Sequence, residues 1–255
     1  MPISSIEEYE RIDPRVTIDV HGKKIRYATP NRMTKWRVDS LLEKEPATIA
    51  WLGEFTAADV LVDVGANVGM YSVLVAAWKG CRVYAFEPEA LNFALLNRNI
   101  HGNNLDKLVT AYPAALGDRA GLSVLHLSSV SAGNSGHSLD ASVDFKLAPR
   151  KSAFVQGSVA ARLDDLVRDD AIPQPTRIKI DVDGFEHKVV DGALKTITDP
   201  RLHSLLIEIN EKVEEHCSLV ERIVALGFRF DPAQVESVKR QEGPFAGTAE
   251  YVFRR

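Results

Sequence analysis

Short apolar runs alternate with longer amphipathic stretches from Val60 to the end of the chain. The apolar runs have the length and β-branched content of buried strands, and the stretches between them place apolar residues at helical spacing. Five runs predict the strands of one sheet, at residues 60–64, 82–86, 108–112, 177–182 and 205–209. Because strands and helices alternate in this way in proteins with parallel sheets, the pattern favours an α/β fold.

Two more apolar runs, at residues 227–230 and 250–253, raise the predicted count to seven strands. We therefore predict an α/β, Rossmann-like, doubly wound seven-stranded sheet with helices on both faces. A Ser- and Gly-rich segment, residues 121–162, interrupts the alternation and predicts an inserted strand pair.

The first part of the chain, residues 1–58, lies outside the alternation. It predicts an N-terminal cap made of a hairpin over residues 16–27 and a helix within residues 36–55. Residues 59–255 then form the main domain. Because no stretch between the two has the composition of a linker, we expect a single structural unit.

Length and composition suit a globular enzyme, with 255 residues, 45% of them hydrophobic and 26% charged. The formal net charge of −4 provides no general basic field for nucleic acid. Cys81 and Cys217 lie far apart without metal-ligand spacing, which favours a reducing compartment. No signal-peptide pattern is present, and no apolar run approaches the roughly 20 residues of a membrane span. We expect a cytoplasmic protein that binds neither nucleic acid nor membrane, and formation of a homo-oligomer is left open.

A glycine loop follows the first predicted strand, which ends in Asp63 and continues through Gly65, Asn67 and Gly69 into a helix. Glycines let a ligand approach the backbone, and a helix N-terminus offers free N–H groups, so the arrangement predicts a nucleotide-cofactor site. The loop lacks the third glycine of a dinucleotide-binding fingerprint and the Gly-Lys-Ser/Thr ending of a P-loop. An ordinary turn in which Asn67 caps the helix is the alternative.

Two carboxylates narrow the choice of cofactor. Asp63 is a poor neighbour for a pyrophosphate but suits the zwitterionic amino-acid end of S-adenosylmethionine. Glu87, 24 positions further on at the end of the second strand, is placed to accept hydrogen bonds from a ribose diol. We therefore predict S-adenosylmethionine as the cofactor, bound by Asp63, Gly65, Ala66, Asn67, Gly69, Glu87 and Pro88.

The chain resembles the FkbM-type methyltransferases, which are class I methyltransferases. The resemblance is carried by the segments VDVGANVGMYS at 62–72, AFEP at 85–88, AALGD at 114–118, NSGHSL at 134–139, IKIDVDGFE at 178–186 and LLIEI at 205–209. Many class I methyltransferases share the first two segments, and the segment at 178–186 is the specific one. Together the segments extend over most of the chain.

This resemblance implies a seven-stranded Rossmann-like fold, S-adenosylmethionine as methyl donor and, usually, O-methylation of a hydroxyl on a natural product or carbohydrate. It also implies that Asp63, Gly65 and Asn67 lie at the methionine end of the donor and that Glu87 lies at the ribose. Ala114 and Ala115 would then lie beside the adenine. The chain departs from the family at Asp183, where glutamate is more frequent.

Methyl transfer to a hydroxyl requires a group that takes the proton, either a general base or a metal ion that lowers the pKa. Asp181 and Glu208 lie at the carboxyl ends of the fourth and fifth strands, the edge at which open α/β sheets bind ligands. We predict these two residues and His187 as the catalytic groups, with Asp181 also contributing to the cofactor site.

An oxygen-rich set at the same edge, Asp181, Asp183 and Glu208, predicts a site for a divalent metal such as Mg²⁺. Capping of the following helix is the alternative role for Asp183 and Glu186. Ser135, with Asn134 and His137 beside it in the Ser/Gly-rich segment, is predicted to close over the cofactor.

The leading hypothesis is an S-adenosylmethionine-dependent O-methyltransferase acting on a hydroxyl of a small natural product or carbohydrate. Methyl transfer to nitrogen, carbon or protein, and a non-catalytic adenosyl-binding protein, are the alternatives. Aromatic and basic residues near the N-terminus either line the substrate entrance or lie on a solvated helix face. These residues are Tyr9, Arg32, Lys35, Trp36 and Arg37.

Overall fold

The computed structural model describes residues 5–255, with the backbone alone at residues 9 and 10, so part of the predicted cap and the side chain of Tyr9 lie outside the described residues. The N-terminal segment contains α1 (Ile6–Glu10), a hairpin of β1 (Arg15–Val20) and β2 (Lys23–Ala28), α2 (Arg32–Asp39) and α3 (Pro46–Gly53). The predicted hairpin is therefore confirmed.

The alternating strands and helices follow in the predicted order. They are β3 (Val60–Val64), α4 (Met70–Lys79), β4 (Arg82–Phe86), α5 (Ala90–Gly102), β5 (Val109–Tyr112), β10 (Arg177–Ile180), α7 (Glu186–Asp191), α8 (Leu194–Thr198), β11 (Ser204–Asn210), α9 (Glu214–Ala225), α10 (Pro232–Val238) and β12 (Thr248–Arg254). The inserted segment between β5 and β10 contains β6 (Ala115–Leu116), β7 (Gly121–Leu127), β8 (Ser138–Leu139), β9 (Phe154–Ala161) and α6 (Leu163–Arg168).

The main sheet has the strand order β12-β11-β10-β3-β4-β5, in which only β12 runs antiparallel to its neighbour. The chain winds outward from β3 through β4 and β5, and then returns to β10 on the other side of β3. The order thus reverses between β3 and β10. In open α/β sheets, ligands bind beside the carboxyl ends of the strands at such a reversal.

The predicted count of seven strands is not confirmed, because the main sheet has six strands among residues 5–255. The run at 227–230 forms only an isolated bridge between Arg229 and Arg254. Asp231 caps α10 immediately afterwards and Pro232 occupies the first turn, so the chain turns away after one residue pair.

A proline divides the predicted helix at 36–55 into two helices. Pro46 stands in the first turn of α3, and the residue before a proline is disfavoured in helical conformation. Glu45 accordingly has φ −132° and ψ 73°. The break exposes Lys44 at the surface and buries Glu45 in the junction between α2 and α3.

The N-terminal hairpin packs against the helices of one sheet face. Tyr27 donates a hydrogen bond from its hydroxyl to the carbonyl of Met70 in α4, at 2.8 Å. Asn99 in α5 accepts from the backbone N–H of Ala28 at 2.8 Å. Tyr27 is fully buried in the same apolar cluster as Leu61 of β3, so the N-terminal segment and the sheet share one core.

The predicted inserted strand pair is also confirmed, as β7 and β9 of a four-stranded sheet with the order β6-β9-β7-β8. Between β7 and β8 lies a segment that we call the strap, residues 131–136. No helix in residues 5–255 has both the length and the apolar character needed to cross a membrane.

Replacing Gly192 with alanine tests the packing that holds the inserted segment to the sheet. A Cβ at Gly192 would lie 1.8 Å from the carbonyl oxygen of Gly117, so the backbone must shift. We expect the substitution to lower the free energy of unfolding by about 1–3 kcal/mol, measured by urea denaturation. Gly157→Ala is the matched control, because a Cβ there meets nothing within 4 Å. Equal stability of the two variants would show that this packing is unimportant.

Candidate active site

The loop between β3 and α4 lies against the end of β10. Gly65 has φ +79°, and a Cβ there would lie 1.9 Å from the carbonyl oxygen of Asp181. Gly69 has φ +80°, and a Cβ there would lie 2.3 Å from a side-chain carbon of Leu96. Both positions therefore require glycine, one for the close approach of two strands' ends and the other for helix packing.

The loop is also bonded to β4. The N–H groups of Gly65 and Ala66 both donate to the carbonyl of Phe86, at 3.0 Å. Asn67 adopts a left-handed conformation with φ +52°, and its N–H donates to Oε2 of Glu87 at 2.8 Å. The tips of β3 and β4 are thus joined through the predicted ribose-binding carboxylate.

A cavity of about 570 Å³ opens at the carboxyl ends of the sheet strands, a volume typical of small-ligand sites. We call it the large cavity. Ten of the sequence-predicted site residues line it, namely Gly65, Asn67, Glu87, Pro88, Ala114, Ala115, Ser135, Asp181, Asp183 and Glu208. The structure therefore brings together residues that are separated by more than a hundred positions in the chain.

A second cavity of about 50 Å³, the small cavity, adjoins the large one. The two share Arg37, Lys44, Gly65, Asn67 and Asp181 as lining residues. The remaining residues of the small cavity are Leu41, Glu45, Ala66, Met70, Tyr71 and Lys179. Ala66, predicted from the sequence as a cofactor contact, thus lies at the small cavity alone.

Glu87 is almost completely buried, with 4% of its surface exposed. Oε1 accepts from the N–H of Glu89 and Oε2 from that of Asn67, each at 2.8 Å. Burial raises the pKa of Glu87 to about 7, although these two hydrogen bonds oppose the shift. A carboxylate has about four acceptor positions, so two remain available for ligand hydroxyls.

Asp181 is held as an anion by a buried lysine. Nζ of Lys179 lies 3.3 Å from Oδ2 of Asp181 and 3.8 Å from Oδ1 of Asp63. Burial by itself would raise the pKa of Asp181, but the charges of Lys179 and Lys44 outweigh burial and lower this pKa. The half-buried Asp181 side chain thus presents a negative charge to both cavities.

Asp63 does not line either cavity and is only 1% exposed. Its Oδ2 accepts a hydrogen bond from the hydroxyl of Ser72 at 2.6 Å, and burial raises its pKa. The geometry favours a supporting role, in which Asp63 holds Lys179 and α4 beneath the loop. Direct contact between Asp63 and a ligand stays a prediction. Gly69 likewise lies behind the loop, against α5.

The turn after β10 combines a cavity residue with a structural one. Asp183 lines the large cavity with φ +55°, and its Oδ2 accepts from the N–H of Gly136 in the strap at 2.7 Å. Burial and the charge of Asp181 raise the pKa of Asp183 to about 7. Glu186 is fully buried instead, accepts from the N–H of Val182 at 2.8 Å and lies 2.9 Å from Nε2 of His216. Glu186 therefore holds the turn before α7, and the predicted capping of the helix by a side chain is not seen, since no described side chain caps the first turn of α7.

Glu208 lines the large cavity beside a half-buried arginine. Arg240 donates to Glu208 and, across the β11–β12 pair, to Glu250, at 3.0 and 2.9 Å. Burial and the nearby Asp181 raise the pKa of Glu208 well above its ordinary range, and Arg240 opposes this. Arg240 thus bonds one of the two carboxylate oxygens of Glu208, Oε1.

The structure does not support the predicted metal site. No group of three or more His, Cys, Asp or Glu side chains within residues 5–255 is arranged to hold a metal ion. Asp181 faces Lys179, Asp183 binds the strap and Glu208 faces Arg240. The three carboxylates are thus directed to separate partners rather than to a common centre.

His187 is not among the residues that line either cavity. Its ring lies beside the rings of Phe185 and His216, and burial followed by the charge of His216 lowers its pKa. Its predicted catalytic role therefore has no geometric support. His137 does line the large cavity, and burial together with the charges of Arg150 and Arg37 lowers its pKa to about 4.

Side chains from the cavity walls hold the strap in place. The carbonyl of Asn134 accepts from the side-chain amides of Asn67 and Asn92, at 2.8 and 3.1 Å. Asn31 and Arg37 bind the carbonyls of Ala132 and Gly133. Ser135, which is exposed, lines the cavity from this strap as predicted.

Several cavity residues were not singled out from the sequence, notably Lys44, Glu45, Lys179, Arg240 and Phe245. Lys179 had a usable signal, because a lysine within a fully apolar strand is unusual unless it is paired. Arg240 and Phe245 belong to the connection before β12, where no local pattern distinguishes them from solvated loop residues.

Comparisons with known proteins agree with this architecture. The chain is similar to the hexuronic acid methyltransferase AglP of Haloferax volcanii, with 24% identity over 204 residues that make up 77% of this chain and 74% of AglP. It is also similar to the 31-O-demethyl-FK506 methyltransferase FkbM of Streptomyces tacrolimicus, with 27% identity over 217 residues, 76% of this chain and 79% of that protein.

A solved structure shows the same fold. The crystallised methyltransferase FkbM from Methylobacillus flagellatus KT matches 79% of this chain with a TM-score of 0.52 and 17% identity. This chain spans 44% of that crystallised chain. The family model described as the methyltransferase FkbM domain matches residues 63–230, a range that includes the glycine loop and the acidic edge of the cavity. The chain therefore belongs to the FkbM methyltransferase family.

Proposed function

We propose that the protein is an S-adenosylmethionine-dependent O-methyltransferase that acts on a hydroxyl of a small natural product or carbohydrate. The observation that carries the proposal is that Glu87, Gly65 and Asp181 all line the large cavity. Membership of a methyltransferase family supports the reaction type. The two relatives, one named for a hexuronic acid and one for a demethylated FK506, support a small oxygen-bearing acceptor.

The described residues fit the adenosyl part of the donor. Glu87 offers two free acceptor positions beside a loop whose backbone carries no Cβ at Gly65. The wall beyond Glu87 is formed by small and apolar residues that suit a flat base, namely Phe86, Ala114, Ala115, Leu116, Leu125 and Leu139. A cavity of about 570 Å³ accommodates a donor and leaves room for part of an acceptor.

The acceptor end of the large cavity is acidic and aromatic. Asp181 is the ionised group at this end, and Trp36 and Phe245 line the same cavity. Carboxylates accept hydrogen bonds from hydroxyls, while aromatic rings pack on the apolar faces of sugar or macrolactone rings. This combination suits a ring compound that carries hydroxyl groups.

When bound, S-adenosylmethionine would supply a methyl group on a positively charged sulfur, and its transfer to an acceptor oxygen would break the C–S bond and leave S-adenosylhomocysteine. In our proposal Asp181 accepts the hydrogen bond of the acceptor hydroxyl and takes its proton as the oxygen attacks. Lys179 keeps Asp181 ionised before the reaction.

The first prediction concerns the donor and the reaction. We expect S-adenosylhomocysteine to bind in isothermal titration calorimetry, and we expect transfer of a labelled methyl group to at least one member of a panel of hydroxylated sugars and macrolactones. Absence of heat for the adenosyl ligand would refute the proposal. Binding with no transfer to any acceptor would instead favour a non-catalytic adenosyl-binding protein.

A second prediction is a pH dependence that originates at Glu87. Since its pKa is about 7 without ligand, Glu87 is largely protonated at pH 6 and must lose that proton to accept both ribose hydroxyls. The affinity for S-adenosylhomocysteine should therefore be about tenfold weaker at pH 6 than at pH 8. Glu87→Gln should bind weakly at both pH values without this trend. An unchanged trend in the variant would assign the titration to another group.

The third prediction separates Asp181 from His187 as the candidate base. Asp181→Asn removes the proton acceptor and should lower kcat by roughly 10²–10⁴-fold, with the affinity for S-adenosylhomocysteine changed far less. His187→Gln is the control and should keep kcat within a few-fold, because this residue lines neither cavity. Single-turnover methyl transfer to the acceptor found in the panel measures both, and a larger loss in His187→Gln would reverse the assignment.

A further inference from the structure

The small cavity brings a buried carboxylate of the N-terminal segment together with two cations of the same segment. Glu45 lines it with 3% of its surface exposed, and Arg37 and Lys44 line it as cations. All three come from the N-terminal segment, outside the range 63–230 that the family model matches. Gly65, Ala66 and Asn67 of the glycine loop line the same cavity.

Glu45 is held in a fixed orientation. Its Oε2 accepts a hydrogen bond from the hydroxyl of Tyr71 at 2.7 Å, and Thr48 lies at 3.4 Å from the same oxygen. Its Oε1 faces only the Nζ of Lys44, at 2.6 Å, among the partners within residues 5–255. Lys44 is exposed, so this lysine can move aside and leave Oε1 open to the cavity.

The cations have free hydrogen-bonding capacity. Arg37 donates from Nε to the strap carbonyl of Gly133, and no ion pair joins its guanidinium to a carboxylate within the described part of the chain. An arginine presents five N–H donors, so four remain for a ligand that occupies either cavity. The small cavity thus offers a fixed anion on one side and movable or unpaired cations on the other.

We propose that Glu45, Lys44 and Arg37 form a receptor for the zwitterionic amino-acid end of the methyl donor, with the ammonium at Glu45 and the carboxylate at Lys44 and Arg37. This inference rests on the proposed function and assigns the part of the donor that the glycine loop alone does not recognise. The volume of about 50 Å³ suffices for a few water-sized groups, which matches an ammonium and a carboxylate but excludes an adenosyl group.

Charge and access favour this receptor over the predicted contact with Asp63. Asp63 is sealed beneath the loop, with Ser72 and Lys179 as partners, and lines neither cavity. Glu45 lies on the open side of the same loop. The break in the helix at Pro46 therefore supplies a carboxylate where the strand's own aspartate cannot reach.

The test compares two adenosyl ligands by calorimetry. S-adenosylhomocysteine carries the amino-acid end, and 5′-methylthioadenosine lacks it. Wild-type protein should prefer the first ligand by at least tenfold. Glu45→Gln should lower the affinity for S-adenosylhomocysteine by about 10–100-fold and leave the affinity for 5′-methylthioadenosine within about twofold of the wild-type value. The second ligand thus also shows that the variant is folded. Glu43→Gln, an exposed neighbour outside both cavities, is the matched control and should bind both ligands like the wild type.

Two further variants, Lys44→Met and Arg37→Met, separate the two charges of the ligand. Each should weaken the binding of S-adenosylhomocysteine but not that of its decarboxylated analogue, which lacks the carboxylate. Glu45→Gln should weaken the binding of S-adenosylhomocysteine and of the decarboxylated analogue, because each carries the ammonium. If Glu45→Gln lost affinity for S-adenosylhomocysteine and for 5′-methylthioadenosine equally, or lost affinity for neither, the proposed receptor would be refuted while the proposed function stands. If wild-type protein binds neither ligand, the proposed function fails instead.

Discussion

The backbone of Gly65 lies so close to the backbone of Asp181 that no Cβ fits between them. A Cβ on Gly65 would lie 1.9 Å from the carbonyl oxygen of Asp181. This contact joins the ends of β3 and β10, where the strand order reverses. The same loop donates two N–H groups to the end of β4. The ends of β3, β4 and β10 are therefore positioned relative to one another through this loop.

Electrostatics set the second constraint, because several carboxylates share a small, poorly solvated volume. Lys179 offsets Asp63 and Asp181, and Arg240 offsets Glu208 and Glu250. Burial nevertheless raises the pKa values of Asp63 and Glu208, and it raises those of Glu87, Asp183 and Glu250 to about 7. The site is thus divided into an ionised position at Asp181 and positions that exchange a proton near neutral pH, an arrangement often found where proton transfer occurs.

The N-terminal segment contributes to the site as well as to the core. Its hairpin packs on α4 and α5, and the interrupted helix carries Trp36, Arg37, Lys44 and Glu45 to the two cavities. The strap joins this segment to the loop, since it is bonded by Asn31 and Arg37 on one side and by Asn67 on the other. Movement of the strap and of α2 would therefore be coupled.

The sequence alone determined the alternation of strands and helices, the hairpin, the glycine loop and the positions of Glu87 and Asp181, because each depends on local periodicity or on residues within one strand and its turn. It overestimated the sheet by one strand, because the capped helix that follows residues 227–230 overrides their apolar pattern. It also grouped three carboxylates as a metal site, since spacing along the chain carries no information about which cation each one faces.

Tertiary structure decided the rest. It buried Asp63 and brought Glu45 to the open side of the loop, placed Arg240 between two acidic strands, and left His187 away from the cavities. These outcomes depend on contacts between residues far apart in the chain, where burial and charge pairing are settled only when the segments pack. The glycine loop could therefore be predicted from the sequence, whereas the pairing of the charged side chains around it could not.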